Sequence, residues 1–71
     1  MSLTWDDAED LGVELADAHA NVDPLSVRFT DLHRFVTELP DFDDDSKGSN
    51  EAKLEAIQMA WLEEFRCRRT E

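Results

Sequence analysis

Apolar residues recur at helical spacing in three stretches, and nowhere do they alternate with period two for long enough to make a strand. In the first stretch Ala8, Leu11, Leu15 and Ala18 fall on one side of a helical wheel, with Trp5 and Gly12 beside them, while Asp6, Asp10, Glu14 and Asp17 fall on the other. That pattern predicts an amphipathic helix over 5–20, with Thr4 as its cap and Asp7 three residues on in a capping-box-like position. The run "NVDPLSV" interrupts it, and Asp23 before Pro24 predicts a short helical turn. Thr30 is the next predicted cap, opening a helix whose buried side is Leu32, Phe35, Val36 and Leu39 and whose end is marked by Pro40. After the aspartate-rich "PDFDDDSKGSN", Ser49 is placed to cap a last helix with Leu54, Ile57, Trp61 and Phe65 as its core stripe. The expected fold is therefore all-α: three main helices and a short helical turn in a compact bundle. There is no internal repeat and no linker long enough to divide the chain. It reads as one domain over 1–66 followed by a short basic tail over 67–71.

Length and composition narrow the chemistry. Seventy-one residues allow one modest core, which leaves little room for a deep, desolvated active site. No apolar run approaches the ~18 residues of a membrane span, and "MSLTWDD" is too acidic for a targeting peptide. A single cysteine, Cys67, rules out an intramolecular disulfide and suits a reducing cytoplasm. Its neighbouring arginines favour the thiolate, but no histidine base stands near it in sequence. No nucleophile–base or acid–base pair can be named, so a non-enzymatic role is expected.

Charge changes the picture most. The net charge is −11, and residues 1–23 hold seven acids without a lysine or arginine. Residues 41–55 hold six acids against Lys47 and Lys53, and the remaining segments each sum to zero. A helix pair followed by a third helix also describes helix-turn-helix DNA readers, but such a reader needs a basic footprint and this chain has the reverse. Nucleic acid and anionic membrane are excluded as partners, and basic proteins or cations are favoured.

The acids form two groups. Asp6, Asp10 and Glu14 recur every four residues, with Asp17 beyond them, an arrangement of like charges that weakens a helix slightly. A face serving solubility alone would mix lysines among them; the open readings are a solvated face and a surface for a basic partner. Asp41, Asp43 and Asp45 alternate like the start of a calcium loop, but Ser46 stands where the turn glycine belongs and Ala52 where the bidentate glutamate belongs. An EF-hand is thus disfavoured, and Phe42 is expected to dock on the core and hold the flanking acids in a fixed display. Carboxylates without interleaved His or Cys favour hard cations, bound weakly when exposed. Asp6, Asp10, Glu14, Asp43, Asp44 and Asp45 are the candidate ligands. His19 and His33 have no partner at ligand spacing and read as ordinary surface or edge residues.

The blocks "LTWDDAEDLG", "DP", "VRFTDLHRFV", "FDDD", "SNE" and "LEAIQMAWLEE", in this order from Leu3 to about Glu64, resemble the IscX (YfhJ) family, small acidic accessory proteins of bacterial iron–sulphur cluster assembly. The sequence departs from that pattern at Phe35, where tryptophan is expected, at Ser46, where proline often follows the aspartates, and in its basic end "RCRRTE". The resemblance implies a helical fold related to winged-helix domains but without DNA binding. It also implies binding to an IscS-like cysteine desulfurase through an acidic surface, in competition with bacterial frataxin, and weak iron binding in place of a tightly held cofactor. The expectation is a cytoplasmic, monomeric adaptor whose partner-binding acids are Asp6, Asp7, Asp10, Glu14, Asp17, Asp31, Asp43, Asp44 and Asp45. Two other functions fit the charge: a dedicated iron or divalent-cation carrier, and an acidic DNA mimic.

Overall fold

The first helix starts later than its periodicity predicts. In the computed structural model, which describes residues 2–69 (for Arg69 the backbone), α1 spans Ala8–Ala18. Thr4 does not cap it. Instead Thr4–Asp7 closes as a separate turn, with the Asp7 carboxylate accepting from the Thr4 backbone N–H at 2.9 Å and from its hydroxyl at 3.2 Å. The capping-box spacing is thus used to fold the N-terminal segment back rather than to launch the helix. Trp5 is freed from helical geometry and buries almost completely.

The buried stripe of α1 is Leu11, Gly12, Leu15 and Ala16, whereas Ala18 is exposed. The stripe turns toward Gly12 and Ala16 because α1 packs chiefly against α3, Glu51–Arg69. At Gly12 the two backbones come so close that a Cβ would stand 2.8 Å from the Ala60 carbonyl carbon. Between them the chain makes a 3₁₀ turn, Pro24–Ser26, capped by the Asp23 carboxylate on Leu25 N–H, and then α2, Phe29–Thr37. Thr30 lies inside the first turn of α2, and the cap position falls to Arg28, whose side chain makes no capping bond. The start of α3 is capped by Asn50 rather than Ser49, through a 2.9 Å bond from Lys53 N–H. Gln58 of α3 ties down the 3₁₀ turn by donating to the Pro24 carbonyl at 2.9 Å.

Leu11, Leu15, Leu32, Val36, Ile57 and Trp61 are fully buried at the centre of this all-α bundle; each large apolar side chain so placed contributes ~1.5–3 kcal/mol. Phe35, expected in the stripe of α2, is only half-buried and stacks on His19 at 4.3 Å between ring centroids. Of the stretch 67–71, Cys67, Arg68 and Arg69 continue α3, so the arginines expected past the last helix lie in its final turns. Thr70 and Glu71 fall outside the described residues. No helix among the described residues is long and apolar enough to cross a membrane.

Candidate functional site

The aspartate loop is held by the N-terminal segment, and that contact builds the site. Leu3 pairs with Phe42 as a parallel bridge: Leu3 N–H donates to the Asp41 carbonyl at 2.7 Å, and Asp43 N–H donates to the Leu3 carbonyl at 2.8 Å. Phe42 meets Trp5 edge to face with centroids 4.8 Å apart. Phe42 is half-buried, while Asp41 and Asp43 on either side of it are exposed.

Trp5 secures the rest of the loop. Its backbone N–H donates to Asp44 Oδ2 at 3.2 Å and its indole Nε1–H to the Asp45 carbonyl at 2.7 Å. Asp44 Oδ1 accepts from Asp45 N–H at 2.7 Å, and Asp45 Oδ1 from Lys47 N–H at 2.9 Å. His33, read from sequence as an ordinary surface residue, stacks on Trp5 at 5.2 Å and bonds through Nε2 to the Ser46 carbonyl. Both oxygens of Asp44 therefore accept from backbone N–H groups, one of the N-terminal segment and one of the loop.

This clamp brings Asp41 of the loop beside Asp10 and Glu14 of α1. The Glu14 carboxyl lies beside that of Asp41. That contact, some loss of surrounding water, and the charges of Asp41, Asp17 and Asp10 raise Glu14 above the ordinary carboxyl value of 4.5. Asp10, Glu14 and Asp41 line a shallow depression of about 160 Å³ with Leu3 and Val13. Asp41 was not among the predicted partner-binding residues, and no periodicity could have found it, because its neighbour on α1 is set by the Leu3–Phe42 bridge.

The other predicted acids are placed differently. Asp6 pairs with Lys53 of α3 at 3.2 Å, and Asp17 pairs with Arg68 at 2.8 Å. Arg68 also reaches Glu64 at 3.2 Å, and Asp17 and Glu64 together push its guanidinium pKa further up despite some desolvation. Asp7 is engaged with Thr4. Asp31 faces Arg34 within α2 at 3.8 Å. The carboxylates at the helix–loop junction are thus Asp10, Glu14 and Asp41, flanked by two partly neutralised pairs. Among the described residues no three His, Cys, Asp or Glu side chains converge on a point that would hold a metal ion.

A family model described as iron–sulphur cluster assembly matches residues 3–66, which take in the Leu3 bridge, the acidic junction and the core stripe of α3. The chain belongs to the IscX (YfhJ) family of iron–sulphur cluster assembly. It is also 50% identical over 64 residues to an uncharacterised protein of Pseudomonas aeruginosa, covering 90% of this chain and 97% of that one. Membership of the IscX family places the protein among small accessory proteins of cluster assembly. The IscX match begins at Leu3, the residue that joins the N-terminal segment to the aspartate loop.

Proposed function

We propose that the protein is a non-enzymatic, cytoplasmic adaptor or regulator that binds an IscS-like cysteine desulfurase through the acidic junction of α1 and the aspartate loop. The observation that carries this reading is the depression that Asp10 and Glu14 of α1 line together with Asp41 of the loop, with no lysine or arginine in its described lining. Three carboxylates from two segments present a concentrated negative field, and neighbouring like charges gain most when a basic surface covers them. The clamped loop adds to this, because little ordering is left to be lost on binding. Asp6 and Asp17 extend the field toward α3, and Asp44 and Asp45 shape the loop that carries it. Bacterial frataxin would compete for the same basic area of the desulfurase.

Weak iron binding follows from the same carboxylates as a companion property. A dedicated carrier needs a convergent ligand set, and among the described residues no three His, Cys, Asp or Glu side chains gather to hold a metal ion.

The test is charge reversal at the junction. Asp10→Lys, Glu14→Lys and Asp41→Lys combined should leave the far-UV spectrum native and weaken desulfurase binding by about tenfold or more. Affinity unchanged in the folded triple variant at low salt would remove this reading. A saturable, salt-resistant iron titration with fixed stoichiometry would move the carrier function to first place.

A further inference from the structure

Helix α3 carries more apolar surface than the core uses. Leu54, Ile57 and Trp61 face inward, but Ala56 and Met59 project on another side, and Met59 is 56% exposed. Together with Ala8 of α1 they line a groove of about 580 Å³ between the two helices, with Arg66 and Cys67 also in its lining. Its walls at Ala8, Ala56 and Ala60 are small side chains, so a partner could approach closely. On the α1 side it passes into a second depression lined by Val13, which is 40% exposed.

The rim gives the chemistry of the occupant. Glu9 and Glu63 stand on it without an ion-pair partner among the described residues, against Arg66 as its one cation. Glu64, lining the adjoining depression, is held by Arg68. An apolar trough with two unpaired glutamates suits an aliphatic side chain flanked by lysines or arginines. Both walls are helices, whose backbone groups are already bonded internally, so no sheet edge is offered for an extended strand. The net charge of −11 opposes a second copy of the chain and an anionic lipid surface alike.

We propose that this groove is a second docking site, separate from the helix–loop junction, for a basic amphipathic helix of a partner protein. One aliphatic anchor lies against Ala8, Ala56 and Met59, and basic residues on its polar face meet Glu9 and Glu63. Val13 stands between the two sites, lining depressions on both sides. A protein docked on the acidic junction would leave the groove open to another, which gives an adaptor two places to hold.

The probe is a synthetic helix with leucines on one face and lysines on the other, compared with a scrambled peptide of the same composition. Backbone amide shifts and the alkylation rate of Cys67, an exposed thiol in the groove lining, report binding. The amphipathic peptide should bind saturably, shift Ala8, Glu9, Ala56, Met59 and Glu63, and slow alkylation. Met59→Gln, which keeps size and charge at an exposed position, should weaken it about tenfold. The proposal is overturned if the scrambled peptide binds as tightly, if shifts gather at Asp10, Glu14 and Asp41 instead, if Met59→Gln has no effect, or if these residues prove to mediate self-association.

Discussion

Gly12→Ala sets helix propensity directly against packing. Within an isolated helix the change is favourable by ~1 kcal/mol. The backbone at Gly12 does not demand glycine, since no described glycine has a positive φ. Space does. The new Cβ would lie 2.8 Å from the carbonyl carbon and Cβ of Ala60 and from the amide nitrogen of Trp61, where ordinary contact begins at 3.4 Å, so α1 and α3 must part by roughly 0.6 Å. The obstructing atoms are main chain and an alanine methyl, and none can swing aside. Separating the helices also loosens Leu11, Leu15 and Trp61, all fully buried. Overpacking of this kind costs ~1–3 kcal/mol, and loosened packing adds to it. After the propensity gain, a net loss of ~1–2 kcal/mol remains, or a melting temperature lower by about 5–15 °C for a domain of this size. Thermal and urea denaturation followed by far-UV circular dichroism would measure it, with an unchanged urea slope showing that the denatured state is not the cause. A variant as stable as the parent, or more so, would refute the claim that the close approach at Gly12 limits this fold.

Other predictions concern the junction and its clamp. Glu14 has a raised pKa in the fold, so its stability contribution is full below the ordinary carboxyl value of 4.5 and is lost as pH rises through the folded value. Glu14→Gln should therefore raise the melting temperature at neutral pH, with the gain shrinking in acid; a pH-independent difference would contradict the carboxyl contact. Trp5→Phe removes the Nε1–H bond to the Asp45 carbonyl and should cost ~1–2 kcal/mol. Faster hydrogen exchange should follow at Lys47 and Gly48, whose amides bond to Asp45, whereas unchanged exchange would mean the indole does not hold the loop. Arg68→Gln releases Asp17 and Glu64 from their cation. It should tighten desulfurase binding at low salt with little change in melting temperature, and weaker binding would place Arg68 inside the interface.

Helix count and most core residues were legible because burial is imposed by period: Leu11, Leu15, Leu32, Val36, Ile57 and Trp61 all lie where spacing predicts. The helix starts were less so. Thr4, Thr30 and Ser49 are good caps by residue type, but the first closes a turn, the second sits inside α2, and Asn50 displaces the third. Capping preferences are local and worth about 1 kcal/mol, so the burial of Trp5 and the packing of α1 on α3 override them. Acid density along the chain was plain, but its arrangement was not. Nothing in the spacing of α1 distinguishes Glu14, which meets Asp41, from Asp17, which meets Arg68 far along the chain. Both outcomes depend on tertiary contacts. The same limit hid the contacts of His33 with Trp5 and Ser46.

One titration tests the acidic face most directly: this protein into an IscS-like cysteine desulfurase, followed by calorimetry across a salt series. An exposed carboxylate face meeting a basic surface predicts saturable binding at low salt that weakens steeply as the screening length falls toward ~8 Å at physiological ionic strength. Binding that ignores salt, or no binding at low salt by the folded protein, would contradict it.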